Sequence, residues 1–389
     1  MKILVLLPRV PYPLEKGDKL RAFHQIKQLS KNNTIILCAL NDSKLHIDAI
    51  VKLKPFCESI HFINISFLRR SLNIIKALFN GNPLQIGYFY NSKAKKKIDK
   101  IIKEKKPEHI YCQLIRTAEY VKNLTLQKTL DFQDVFSKGV ERRIEKAKGL
   151  KKLIFKLEHK RLLKYEKEIF DYFTNKTIIS KPDQQHIPHS NRENIHIIPN
   201  GVDYDFFQPF ESEKKYDIVF TGNMGYPPNI NSVIFLAKVI LPEVHKIKPN
   251  VNLVIVGANP HISVKALKSE KIKITGWVKD MREYYAQSKI FIAPMQIGTG
   301  LQNKLLEAMA MKLPCITSKL ANDALCATDG IEILIGNSPE EYANHIINLL
   351  DDSKKASEIA DAGCKFVHNN YDWEKATQKL ETIIKSNSP

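Results

Sequence analysis

Three observations predict an α/β chain built from two doubly wound domains. Short apolar segments alternate with amphipathic ones along the sequence, the βαβα order that builds a parallel sheet. Several apolar segments, Ile290 to Ala293 among them, run without polar alternation, as strands do when helices cover both faces. A length of 389 residues gives room for two cores of ordinary size.

Taken in order, the first half predicts strands at Lys2 to Leu7, Thr34 to Leu40, Ser59 to Ile65, His109 to Gln113, Lys128 to Phe132, Thr177 to Ser180 and Ile195 to Pro199. The loop Pro8 to Lys19, with Gly17 and Asp18, leads into a helix from about Leu20 to Ser30 that carries Arg21 and His24. Ligands of an open α/β sheet gather at the carboxyl ends of its strands, so this loop is expected to border the cleft. Arg116 and Asp134 each follow a predicted central strand and share that expectation. For Arg116 a structural salt bridge to an acidic neighbour is the competing reading. His24 reads as a helix-surface histidine and Asp131 as a loop cap. The second half predicts strands at Asp217 to Thr221, Asn252 to Val256, Lys271 to Thr275, Ile290 to Ala293, Cys315 to Thr317 and Ile331 to Leu334, and a last helix from about Trp373 to Lys385.

The densest chemical signal lies between Ile290 and Ile316. Pro294 ends the buried strand, and Gly298, Thr299 and Gly300 allow the backbone to approach a ligand closely. Leu301, Leu305, Ala308 and Met309 then fall at helical spacing, so a helix is expected to begin beside the turn. The free N–H groups and dipole of such a helix suit a diphosphate. Lys304 adds a full charge, and Glu307, one turn further, can accept hydrogen bonds from ribose hydroxyls. A Gly-x-Gly turn with a solvated Lys/Glu pair is the plainer reading of the same residues.

This segment resembles the carboxyl-terminal signature of glycosyltransferase family 4, retaining enzymes of GT-B fold that use nucleotide-sugars. Glu307, Ala308, Ala310 and Pro314 match its Glu-Ala-x-Ala-x-Gly-x-Pro pattern in part. Ile197 to Pro209 resembles the hinge block, Ile218 to Met224 the first strand and glycine turn of the donor domain, and Val251 onward the strand series that ends at the nucleotide base. Gly222-Asn223-Met224, Pro227-Pro228-Asn229 and Gln302-Asn303-Lys304 resemble a narrower subgroup of sugar transferases.

The resemblance implies a GT-B fold with an acceptor-side domain at 1–200, a donor domain at 201–371 and a segment at 372–389 that returns to the first domain. It implies donor contacts at Gly222, Asn223, Trp277, Val278, Gly298, Gly300, Leu301 and Glu307, and catalytic roles for Lys304, Gly17, Thr299, Arg116 and Asp134. Trp277 is expected to stack on the base or to pack against the neighbouring helix. The chain departs from the pattern where Thr299 replaces a sugar-binding Glu, and where the first glycine turn lacks an Arg and a Lys. Lys304 is therefore expected to supply the phosphate countercharge. The implied activity is transfer of a hexose from a UDP- or GDP-sugar to a saccharide or lipid-linked acceptor in cell-envelope polysaccharide synthesis, with no metal or other cofactor. An epimerase of the same fold and a catalytically silent, membrane-docking adaptor are the alternatives.

Composition frames these expectations. With 43% hydrophobic and 26% charged residues the chain reads as globular; the apolar stretch at the amino terminus is short for a signal segment and no later run reaches membrane-spanning length, so a cytoplasmic location is expected. Six scattered cysteines read as buried thiols in a reducing compartment. The net charge of +19 falls almost entirely in the first 200 residues, densest at Lys93 to Lys106 and Arg142 to Lys167. Solvated helix faces or peripheral contact with an anionic membrane fit that surplus. A nucleic-acid partner is not expected, because no recognition motif accompanies the charge.

Overall fold

The computed structural model describes residues 1–298 and 300–386. They divide into two compact units, one formed by Met1–Pro199 with the chain from Trp373 onward, the other by Asn200–Asp372.

The first unit holds seven strands, β1 (Lys2–Leu7), β2 (Thr34–Asn41), β3 (Ser59–Asn64), β4 (His109–Gln113), β5 (Lys128–Gln133), β6 (Asn175–Ile178) and β7 (His196–Ile197). All pair in parallel, in the order β3-β2-β1-β4-β5-β6-β7. Strand β1 shows why its sequence lacks alternation: Ile3, Val5 and Leu7 enter one core while Leu4 and Leu6 enter the other, across the sheet. The carboxyl-terminal helix Trp373–Lys385 belongs to this unit. Its Ala376, Leu380, Ile383 and Ile384 share a core with Ile3, Val5 and Leu7 and with Ala22, Ile26 and Leu29 of the helix Gly17–Leu29. Asn33 and Asn175 add hydrogen bonds to Glu381 Oε1 at 3.0 Å and to the Ile383 carbonyl at 2.9 Å.

The structure departs from the expected surroundings of His24, Asp131 and two of the cysteines. His24 is buried beneath that helix, its ring stacked on Trp373 at 5.0 Å between centroids, instead of lying on a surface. Asp131 is fully buried and pairs with the equally buried Arg21, Nε to Oδ2 at 2.7 Å and Nη2 to Oδ1 at 3.0 Å, so it caps no loop. Thr177 and Tyr111 donate to the same carboxylate at 2.8 and 2.9 Å. The pair ties the first helix to β5 beneath the carboxyl ends of the strands. Four of the six cysteines are buried, but Cys57 is half-buried and Cys326 exposed; all six are free.

The second unit holds β8 (Tyr216–Thr221), β9 (Leu253–Val256), β10 (Ile272–Ile274), β11 (Ser288–Ala293), β12 (Cys315–Thr317) and β13 (Leu334–Ile335), again all parallel, in the order β10-β9-β8-β11-β12-β13. The last strand starts three residues later than its apolar run suggests, because Gly330 and the exposed Ile331 belong to the preceding turn. Both sheets follow the doubly wound plan, and the strand order reverses beside β1 in the first and beside β8 in the second. Among the described residues no helix is long and apolar enough to cross a membrane.

Removing one partner of a buried ion pair strands the other charge. Asp131→Ala should therefore destabilise the first unit by about 3–5 kcal/mol, read from denaturant unfolding followed by circular dichroism. Replacing Arg21 and Asp131 together by apolar residues should cost less than the single change.

Candidate active site

In the second unit the strand order reverses between β8 and β11, the place in an open α/β sheet where the following loops part and a ligand recess is expected at the carboxyl ends of the strands. Gly222 follows β8 with φ of 148°, and Gly257 follows β9 with φ of 147°. They are packed so closely that a Cβ on Gly257 would stand 1.7 Å from the Gly222 carbonyl oxygen. A Cβ on Gly222 would in turn stand 2.6 Å from Asn229 Nδ2 and 3.5 Å from Lys304 Nζ. The lysine ammonium thus lies against bare backbone.

Lys304 is the second residue of the helix Asn303–Ala310. Its Nζ donates to Asn229 Oδ1 and lies 4.8 Å from the centre of the Phe220 ring. Asn229 is held in turn by donating to the Asn223 carbonyl at 3.0 Å. One turn along, Glu307 Oε2 accepts from the Tyr285 hydroxyl at 3.0 Å, and Tyr285 lies 2.7 Å from Thr221 Oγ1. Desolvation lowers the Lys304 pKa to about 7, with the Glu307 charge opposing the shift. Desolvation raises Glu307 to about 7, opposed by the Tyr285 hydrogen bond and by Lys304. The recess therefore presents an ammonium and a carboxylate whose charged forms are both costly while no ligand is near.

The helix begins at Asn303 after Gln302, so Gly300 lies in the loop as expected, but Leu301 lies there too and not at the helical position its spacing suggests. The reason is local: Gln302 Nε2 folds back onto the Gly300 carbonyl at 2.7 Å, and Leu305 N–H bonds to the Gln302 carbonyl at 2.9 Å, which sets the first turn. Gly298, at φ of 97°, sits over Pro228, whose Cβ would lie 3.6 Å from a side chain at that position. The two loops of the switch point meet there. Thr299 lies outside the described residues.

The second unit also matches known proteins. A sequence family described as Glycosyl transferases group 1 matches residues 215–352, the span that holds every residue of the recess. The chain carries a group 1 glycosyltransferase domain. An uncharacterised 44.6 kDa protein from the cps region of Klebsiella pneumoniae is 24% identical over 99% of this chain and 100% of its own. A GDP-mannose-dependent mannosyltransferase of Corynebacterium glutamicum, acting on a monoacylated phosphatidylinositol monomannoside, is 25% identical over 49% of this chain and 55% of its own. The crystal structure of Anabaena Alr3699/HepE in complex with UDP and glucose superposes with a TM-score of 0.71 at 12% identity, covering 98% of this chain and 99% of that one. The fold is GT-B.

Within the glycosyltransferase domain, Gly222, Asn223, Gly298, Gly300, Lys304 and Glu307 all belong to the β8 and β11 loops or the helix after them. Asn223 Oδ1 accepts from the Gly225 N–H at 2.9 Å and so shapes its own turn. Leu301 and Val278 pack partly against the domain core. Trp277 is 64% exposed after β10, which excludes the packed alternative. Asn229, Tyr285 and Gly257 complete the site. Asn229, Gly257 and Tyr285 all stand in segments that the sequence singles out, but no spacing marks Tyr285, which enters from the separate short helix Arg282–Ala286.

The remaining candidates lie in the first unit. Arg116 makes no salt bridge among the described residues: its guanidinium lies 5.0 Å from the Phe89 ring and 4.6 Å from the Phe136 ring, and Nη2 donates to Gln85 Oε1 at 2.8 Å. Burial there lowers its pKa to about 10. The expected ion pair is replaced by aromatic stacking, which a planar guanidinium favours. Asp134 is open to water, yet the protein around it and the nearby Asp183 raise its carboxyl to about 7, against the pull of Arg116. Gly17 opens the first helix, and a Cβ there would meet nothing within 4 Å.

Two measurements check this geometry. Lys304 should titrate near pH 7 by lysine-labelled NMR, and Glu307→Gln should lower that value further by removing the opposing charge. Gly257→Ala should force the ends of β8 and β9 apart and destabilise the second unit by about 1–3 kcal/mol or more, read as a fall in melting temperature.

Proposed function

We propose that this glycosyltransferase moves a hexose, with retention of anomeric configuration, from a UDP- or GDP-sugar to a saccharide or lipid-linked acceptor in cell-surface polysaccharide synthesis. The observation that carries the proposal is Lys304, a desolvated ammonium laid against glycine backbone beside Glu307 at the strand-order reversal. The cps-region relative and the UDP-bound neighbour support the pathway and the donor class.

Breaking the anomeric bond builds negative charge on the departing diphosphate and leaves an oxocarbenium-like sugar. Stabilising that leaving group is the largest task the protein faces. Lys304, steered by Asn229, would neutralise the diphosphate, and the N–H groups of the Asn303–Ala310 helix would add their partial charge. Gly298 and Gly300 would let the phosphates approach the backbone. Glu307, oriented by Tyr285, would accept hydrogen bonds from the ribose. Retention follows when the acceptor attacks from the face that the diphosphate leaves, which requires no enzymic nucleophile. Gly17, Arg116 and Asp134 are assigned to the acceptor side of the reaction, where a carboxyl raised to about 7 suits proton exchange with a hydroxyl. No metal enters this scheme.

A panel of uridine, guanosine and adenosine diphosphate-sugars should raise the melting temperature with one base only; no shift with any of them would favour the silent adaptor. Radiolabelled donor should then label an added glycan acceptor, and conversion of donor without acceptor would mean an epimerase. Lys304→Ala should lower kcat by about 10²–10³-fold, while Glu307→Gln should act mainly on donor KM. Binding also carries a proton signature. A bound diphosphate raises Lys304 from its free value near 7, so calorimetry at about pH 8 should show uptake approaching one proton by the wild type and none by Lys304→Met.

A further inference from the structure

Two helices of the first unit carry apolar side chains outward. Phe67–Asn80 exposes Leu72, Ile75, Leu78 and Phe79, the last of them 88% exposed. The helix Gly149–Phe170 exposes Leu150, Leu153, Ile154 and Leu157, with Leu150 at 73% and Leu153 at 64%. The spacing of these four puts them on a single stripe. Each helix is nevertheless anchored: Ala77 on the first, and Leu162, Ile169 and Phe170 on the second, are buried. Arg161, one turn beyond Leu157 on the same stripe, donates to the carbonyls of Ala77 and Leu78 at 2.8 Å each and of Asn82 at 3.1 Å. The two apolar stripes therefore adjoin where the first helix ends.

Charge frames this surface with one sign. From Ala147 through Leu157 the chain has Lys148, Lys151, Lys152 and Lys156, all exposed, and no Asp or Glu. The next carboxylate, Glu158, turns inward and accepts from the N–H groups of Leu84 and Gln85 at 2.7 and 3.2 Å. At about 100° per residue, Lys151 lies on one side of the leucine stripe and Lys156 and Lys160 on the other. Lys76 flanks the stripe of the first helix.

We propose that these adjoining stripes form a docking face for an anionic lipid bilayer. Leucines in a lysine frame suit an interface where apolar side chains enter the acyl boundary while each ammonium reaches a headgroup phosphate. A second copy of the chain fits poorly, because the same face would bring two lysine rims together. The inference is independent of the sugar-transfer reading.

Cosedimentation of the full chain with vesicles tests it. The wild type should bind phosphatidylglycerol vesicles, bind phosphatidylcholine vesicles weakly, and dissociate as salt is raised. The variant K151E/K152E/K156E should lower partition onto anionic vesicles by at least about tenfold. Leu150→Ser with Leu153→Ser, and separately Leu72→Ser with Phe79→Ser, should each lower it about tenfold or more. Far-UV circular dichroism and melting temperature report that each variant is folded, and the two apolar pairs lie on separate helices, so that loss of one by misfolding leaves the other. Equal binding to neutral and anionic vesicles, or partition unchanged in the folded variants, would overturn the proposal. So would a concentration-dependent dimer, seen by light scattering, that the serine variants abolish.

Discussion

A lysine whose charge the protein does not itself neutralise governs the chemistry of the second unit. Among the described residues no carboxylate lies within ion-pair distance of Lys304; its contacts are an amide oxygen and an aromatic face. Glu307, the nearest acid on its helix, is occupied by Tyr285. An ammonium placed in this way loses hydration without gaining a counterion, and the cost appears as a pKa near 7. A diphosphate reverses the balance by supplying the missing charge. The same feature that makes the site unfavourable when empty favours an anion within it.

Its position depends on backbone that comes closer than side chains permit. The approach of Gly257 to the Gly222 carbonyl closes the ends of β8 and β9 into a floor, and Lys304 reaches across that floor because nothing projects from it. The parallel order of strands then decides where such a floor can open, since the loops after β8 and β11 leave in opposite directions. Arg21 and Asp131 occupy a comparable level of the first sheet, but there each charge is answered by the other and by Thr177. One pair holds structure together, and the other leaves a charge available.

Most strands were legible because burial on both faces writes an unbroken apolar run, as in Lys2–Leu7 and Cys315–Thr317. Lys304 and Glu307 were legible because one helical turn fixes their relation. Relations across the fold were not. Nothing near Asp131 in sequence announces an arginine 110 positions away, and His24 looks like a surface residue until Trp373 arrives from the other end of the chain. Arg116 invited an acidic partner because a buried guanidinium usually needs one, but two phenylalanine rings and Gln85 fill that place. The 303–310 helix starts two residues after Leu301 because the Gln302 side chain, folded onto the Gly300 carbonyl, interrupts the apolar rhythm that Leu301 begins.

The first unit is not one continuous stretch of chain. It is left at Pro199 and completed only when the segment from Trp373 returns, with the whole second unit encoded in between. During synthesis Ile3, Val5 and Leu7 on one side of β1 must wait for more than 370 residues before Leu380, Ile383 and Ile384 can cover them. The second unit, contiguous from Asn200 to Asp372, does not depend on that segment for its own core. Closure of the earlier-made core thus waits on a segment made after the whole second unit.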